Sequence, residues 1–125
     1  MVNDSLITIG QLAKQSNLSI RTLRFYEDKG ILSSIRDRNN NRLYDDNAQH
    51  WANFVKYLRD SGMGLNDIQH YHQLILQGDA TVAERIAILE NQKQIIHSEI
   101  KAKEEQIKQI DHKLSNYRSE KKGYL

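Results

Sequence analysis

The last third of the chain carries the feature that most restricts its fold. With Ile86 as heptad position a, Leu89, Ile96, Ile100, Ile107, Ile110, Leu114 and Tyr117 fall on one a/d seam, interrupted at Lys93 and Lys103, so eight of ten seam positions are apolar. Such a seam demands one continuous helix, about 55 Å long between Thr81 and Tyr117 at 1.5 Å per residue. A solitary helix would leave so narrow a stripe in water. Pairing with a second copy is therefore expected, with Ile86, Leu89, Ile96, Ile100, Ile107, Ile110 and Leu114 as the dimerisation residues. In a parallel zipper Lys93 and Lys103 would face their own copies and repel; an antiparallel coiled coil sets them opposite other residues and is favoured on that ground. Both orientations remain open from sequence. Ile88 and Ile95, off the seam, form a second stripe suited to docking on a globular domain.

Composition agrees with a chain that is not self-sufficient. Hydrophobic content of 38% and a mean hydropathy of -0.72 are low for an isolated globule of 125 residues. The absence of cysteine excludes a disulfide framework, thiolate metal ligation and thiol redox sensing, and fits a reducing cytoplasmic compartment. No run approaches the roughly 18 apolar residues of a membrane span, and the first residues, including Asn3 and Asp4, lack a signal-peptide pattern. The net charge is only +2, but between Lys14 and Arg42 seven cations face three acids. The basic surplus is concentrated in the first half of the chain.

That half reads as helix, turn, helix. Thr8 and Gln11 have the spacing of a capping box for a first helix ending near Gln15, and Ser16-Asn17-Leu18 makes a tight turn into Ser19, the N-cap of a second. On the second helix Arg21, Arg24, Phe25 and Asp28 share one face, while Ile20, Leu23 and Tyr26 lie on the other. One face suits a core; the other presents guanidinium and an aromatic ring to an anionic, grooved partner. Gly30 is placed to end the helix. Ile31-Leu32 and Arg42-Leu43-Tyr44 then read as paired strands around a tip at Asn39-Asn40-Asn41, residues that tolerate a left-handed backbone. Arg36, Arg38 and Arg42 would make this a basic wing; a solvated loop is the competing reading. Asp45 to Asn47 offer N-caps for a third helix with Ala48, Trp51, Phe54, Val55 and Leu58 at core spacing, leaving Lys56 and Arg59 outside for solvent or phosphate. Asn66 to Gln69 read as a capping box for a fourth helix that stops at Gly78.

In this order the elements resemble those of a MerR-family transcriptional regulator. The resemblance rests on Ile9-Gly10-Gln11-Leu12-Ala13, Arg21-Thr22-Leu23-Arg24-Phe25-Tyr26-Glu27, Gly30-Ile31-Leu32, Arg42-Leu43-Tyr44 and Ser61-Gly62-Met63, and spans residues 6–117. It implies a mainly α fold: a winged helix-turn-helix DNA-binding domain over residues 1–78, a dimerisation helix in an antiparallel coiled coil over 79–118, and a short tail over 119–125. It further implies a homodimer that binds a near-palindrome within an over-long promoter spacer and distorts it to control RNA polymerase. The DNA-facing candidates are Thr8, Ser19, Arg21, Thr22, Arg24, Phe25, Tyr26, Arg36, Arg38, Arg42, Tyr44, Lys56 and Arg59, with core residue and DNA contact equally weighted for Tyr26. Arginine forks onto guanine edges or phosphate, and tyrosine packs on sugar while donating to phosphate.

The stretch from Gln77 to Arg85 is similar to the branch of the family that answers aldehydes or thiol stress, yet Tyr57 stands where that branch places a reactive cysteine. The effector is therefore unknown, and no cofactor is expected. An enzyme reading finds little support. His70 and His72, two apart on a helix, point in different directions, and His97 and His112 are fifteen apart. A live alternative to the regulator is an architectural or adaptor dimer that binds DNA without effector switching.

Overall fold

The computed structural model describes residues 5–119. The elements are β1 (Ile7–Thr8), α1 (Ile9–Ser16), α2 (Ile20–Asp28), β2 (Ile35–Arg36), β3 (Arg42–Tyr44), α3 (Asp46–Asp60), α4 (Leu65–Leu76), a 3-10 turn (Asp79–Thr81) and α5 (Val82–Arg118). The architecture is mainly helical, with an N-terminal winged helix-turn-helix and a long C-terminal helix. The chain divides into two compact units at Ile88/Leu89, ten residues beyond the expected 78/79 boundary. The reason is visible at the start of α5: Thr81 donates its hydroxyl to the Leu74 carbonyl, and Arg85 donates to Thr81 Oγ1 at 3.0 Å and to the Gly78 carbonyl at 2.8 Å. Of the expected tail, 120–125 lie outside the described residues, as do Asn3 and Asp4.

Local chemistry sets the helix ends. Thr8 caps α1 with both halves of its capping box formed, its amide donating to Gln11 Oε1 at 2.9 Å and its Oγ1 accepting from the Gln11 amide at 3.2 Å. Asn17 closes α1 in the left-handed region at φ 58°. Ser19 Oγ accepts from the Thr22 amide at 3.0 Å and opens α2; Asp45 does the same for α3 through the Ala48 amide at 2.9 Å. After α2 the amides of Gly30 and Ile31 return to the carbonyls of Glu27 and Tyr26 at 3.1 and 2.8 Å, a Schellman closure that needs the positive φ of Gly30, 72°. The identical arrangement follows α3 at Gly62, φ 95°, where Met63 bonds back to Leu58.

Three expectations are corrected. Ile31 and Leu32 form no strand; both are buried in the link behind α2, and the wing strand begins at Ile35. Their chain is turned inward by the Schellman closure, which spends their amides on the Tyr26 carbonyl rather than on a ladder. The fourth helix starts at Leu65 with extended Gly64 as N-cap and no side-chain cap, so the expected box at Asn66 is not formed. Ile20, the first residue of α2, and Phe54, at the edge of the α3 face that buries Trp51, Ala52, Val55 and Leu58, are each 38% exposed rather than core.

The sheet has the order β1-β3-β2, antiparallel throughout, with Ile7 opposite Tyr44 and Ile35 opposite Leu43. Leu12, Leu23, Ile31, Tyr44, Val55 and Ile68 are the largest fully buried side chains, and they bring α1 to α4 and the central strand into one core. Trp51 anchors its far side. Its ring stacks on Tyr71 at 5.5 Å and His72 at 5.6 Å, and its indole N–H donates to the Ile31 carbonyl, fixing the link after α2 to α3 and α4. Leu23 joins the second helix to this core with no exposed surface. Leu23→Ala should lower unfolding free energy by about 2–5 kcal/mol, the usual range for truncating a buried leucine, as read by urea denaturation; a loss under about 0.5 kcal/mol would remove α2 from the core.

Candidate nucleic-acid interface

The second helix presents what its pattern demands. Leu23 and Tyr26 are buried, whereas Arg21, Arg24 and Phe25 are exposed on the opposite side, Phe25 at 41%. Ser19 Oγ, besides capping, donates to Thr22 Oγ1 at 2.8 Å, so these two exposed hydroxyls are held against the first turn. Lys29 Nζ lies 5.7 Å from the Phe25 ring centroid, a cation-π distance that adds a positive charge beside the aromatic face.

The wing is fastened to this helix through a residue that sequence reasoning passed over. Glu27, on the last turn of α2, accepts from Arg42 Nε at 2.8 Å, from Arg36 at 3.1 Å and from the Tyr44 hydroxyl at 3.4 Å. A carboxylate has about four lone-pair sites, and these three donors occupy most of them. Burial raises the carboxyl pKa, but the nearby Ser34 side chain, the bond from Arg42 and the charges of Arg42 and Arg36 together outweigh it and leave Glu27 below its ordinary value. For Tyr44, burial and then the Glu27 charge push the phenol up to about 12. An acid inside a basic run was the available signal: a lone Glu among arginines that converge on one hairpin is placed to hold them.

At the wing tip Asp37 Oδ1 accepts from the Asn39 and Asn41 amides at 2.8 and 2.9 Å, and Asn40 takes the left-handed conformation at φ 63°. The Asn41 amide leads the bonds that hold the Asp37 carboxyl below the usual range. Arg36 also donates to the Asn40 carbonyl at 3.0 Å, so one guanidinium ties the tip to α2.

These pieces enclose a cleft of about 310 Å³ lined by Thr8, Arg24, Arg36, Asp37, Asn40 and Arg42, among others. Three guanidinium groups thus converge beside the N-terminus of α1. The concentrated positive charge and the helix start favour an oxyanion such as phosphate, with Arg36 and Arg42 also donating to Glu27, and Arg36 to the Asn40 carbonyl. Arg21, Arg38, Lys56 and Arg59 do not line this cleft. Arg38 is exposed on the wing, and Arg59 donates to the Met63 carbonyl at 3.1 Å, bracing the loop between α3 and α4. Two expected contacts sit elsewhere. Tyr26 is 6% exposed and Tyr44 is fully buried, so both rings belong to the core of the free chain, and the Tyr44 hydroxyl is engaged with Glu27. Arg42 acts through the wing root as much as through its charge.

A sequence profile of the MerR HTH family of regulatory proteins matches residues 7–74, the span that holds the helix-turn-helix, the wing and the third and fourth helices. The chain belongs to the MerR family. An uncharacterized HTH-type transcriptional regulator of Haemophilus influenzae is 30% identical over 115 residues, covering 91% of this chain and 85% of the relative. The HTH-type transcriptional regulator AdhR of Bacillus subtilis is 34% identical over 89 residues, 70% of this chain and 64% of AdhR. Among solved structures, HiNmlR, a MerR family regulator lacking the sensor domain and bound to promoter DNA, matches with a TM-score of 0.78 at 30% identity over 91% of both chains. A MerR-family regulator from Listeria monocytogenes matches in fold with a TM-score of 0.80 at 24% identity, covering 90% of this chain and 86% of that one. The protein is thus a MerR-family, DNA-binding transcription regulator without cysteine, and Tyr57 on its third helix is 70% exposed.

In this MerR-family chain the Glu27 cluster has a measurable pH signature. Its carboxyl is below the ordinary 4.5 when folded, so its contribution is complete above that value and is lost as pH falls through the native one. Glu27→Gln should cost about 1–3 kcal/mol of stability at neutral pH. The difference from wild type should shrink as pH drops below 4.5, followed by urea unfolding across pH. A difference that stays constant through that window would show that the ion pairs are not what Glu27 contributes.

Proposed function

We propose that the protein works as a homodimer on a near-palindromic operator in the spacer of a promoter, and that it bends and untwists that spacer to control RNA polymerase from the cytoplasm. The observation that supports this reading is the cleft of three arginines beside the exposed face of α2, an arrangement suited to phosphates flanking a helix in the major groove. Arg21, Thr22 and Arg24 read base edges or adjacent phosphate, Phe25 packs on sugar or base, and Arg36, Arg38 and Arg42 hold the backbone from the wing. Thr8 and Ser19 contribute at the helix starts, and Lys56 and Arg59 reach the flanking phosphates.

Dimerisation is supported by the bare seam of α5. Ile100, Ile107 and Ile110 are 48%, 59% and 60% exposed in the single chain, a row of isoleucines that a second copy in antiparallel register would cover. Two reading heads at a fixed separation match a twofold operator, and phosphate contacts from both wings offset a deformation energy of about 1–6 kcal/mol. Among the described residues no helix is long and apolar enough to cross a membrane.

Footprinting and transcription on the promoter next to its own gene test the whole reading. Protection centred on an over-long spacer with a change in transcript is expected; protection without any change in transcript would favour the adaptor. Arg24→Ala should weaken operator binding by about 1–3 kcal/mol while leaving the dimer intact, measured by fluorescence anisotropy at fixed salt. Unchanged affinity would take Arg24 out of the reading set. Ile100→Asp should split the dimer in light scattering and abolish operator binding with it; a variant that stays dimeric would sink the coiled-coil assignment.

A further inference from the structure

A second cavity, of about 310 Å³, lies on the other side of the wing, between its root, the start of α3 and the end of α4. Its walls are mostly apolar, from Ile35, Leu43, Trp51 and Ile75 among others, and its polar groups are Ser33, Asp45, Asn47 and His72 together with Ser34. His72 is 5% exposed, its Nε2 lies 3.2 Å from Ser33 Oγ, and its Nδ1 has no hydrogen-bond partner. Nothing in the DNA-facing cleft uses these groups. They are separated from it by the sheet strand Arg42–Tyr44, whose Leu43 lines both spaces.

We propose that this cavity is a binding site for a small uncharged molecule with an apolar, ring-sized body and one hydroxyl- or carbonyl-type group, and that its occupancy is transmitted to the wing. Size sets the first limit. Benzene occupies a cavity of about 150 Å³, and ordinary ligand sites begin near 300 Å³. The space therefore admits one ring with a short substituent. Charge sets the second: the walls hold the Asp45 carboxylate and no lysine or arginine, so an anion finds no counter-charge. Asp45 in turn accepts from the Ala48 amide as the cap of α3, and the surroundings of His72 already disfavour a cation by desolvation. A neutral hydroxyl or carbonyl can share the Ser33–His72 pair, which offers both a donor and an acceptor.

Transmission follows from shared residues. Ile35 and Leu43 line the cavity and stand next in sequence to Arg36 and Arg42, the two arginines that the Glu27 carboxylate holds on the other side of the wing. Ile35 and Leu43 are paired across the wing, so a ligand pressing on either displaces the ladder that carries both arginines. Differential contact with the two wing positions is what an effector needs in order to shift DNA affinity.

Trp51 is the only tryptophan of the chain and lines the cavity, which gives a direct readout. Full-length protein is titrated with benzyl alcohol, benzylamine and benzoate while Trp51 emission is followed, and operator affinity is measured in parallel by anisotropy with and without each probe. Benzyl alcohol should give a saturable change, with both charged analogues weaker by about tenfold or more, and should shift operator affinity. Ala48→Leu, which fills the cavity from α3 without touching the cap amide, should abolish the saturable change while the variant still folds by circular dichroism and still binds operator. The same test is made with Ile75→Phe, which closes the opposite wall. No saturable response to benzyl alcohol, a response that survives both filled variants, a preference for a charged analogue, or binding that leaves operator affinity unchanged would each overturn the proposal. Emission that depends on protein concentration and not on probe would also overturn it, showing that a second copy fills the space. The proposal's regulatory part rests on the operator-binding reading, and the two fail differently: loss of that reading shows as no operator binding by wild type, whatever Trp51 reports.

Discussion

The carboxylate of Glu27 stands where the second helix and the wing meet, and it gathers Arg36, Arg42 and Tyr44 onto one side chain that is 16% exposed. A charge so placed is tolerated only because its lone pairs are filled, and filling them requires the wing to fold back onto α2. The two-residue strand Ile35–Arg36 and the three-residue strand Arg42–Tyr44 are too short to hold a wing by ladder bonds alone. The ion pairs set the angle between helix and hairpin, and with it the distance from Arg24 to the wing arginines. The arginine cleft is thus held together by an acid inside a basic surface.

The core behind this cluster divides the labour. Leu12, Leu23 and Tyr44, all fully buried, hold α1, α2 and the central strand as one block, while Trp51, stacked on Tyr71 and His72, ties α3 and α4 to the link after α2. The wing root lies between these two blocks. Ser33 meets His72 on one side and Arg36 and Arg42 meet Glu27 on the other, so the wing is the element that both halves of the domain hold. Arg36, Arg38 and Arg42 all stand on this wing segment, so its basic side chains share the one element that packs against both blocks.

Much of this was legible from the chain itself. The capping box at Thr8, the caps at Ser19 and Asp45, the Gly30 stop, the exposed Arg21-Arg24-Phe25 face and the α5 seam all depend on residues within one or two turns of each other, and local hydrogen bonding and periodicity decide them. The misreadings share a cause. Ile31-Leu32 has strand-forming side chains, yet the preceding Schellman turn takes its amides; Asn66 looks like a cap, yet the extended Gly64 starts the helix earlier; Ile20 and Phe54 are apolar, yet both stay at the surface.

The amino-acid order by itself determined where helices begin and end, which face of α2 is charged, and that the long C-terminal helix carries an unpartnered apolar stripe, because each follows from spacing along one helix. Only the tertiary structure decided that Tyr26 and Tyr44 are core, that Glu27 holds the wing, and that Arg24, Arg36 and Arg42 converge on one cleft. The Glu27 contacts join residues 9 to 17 positions apart in sequence, from Arg36 to Tyr44, and no periodic pattern records which of several arginines a half-buried carboxylate will choose. That choice is made by geometry: once Leu23 and Tyr44 are packed away from water, one hairpin orientation brings its guanidinium groups within reach of Glu27.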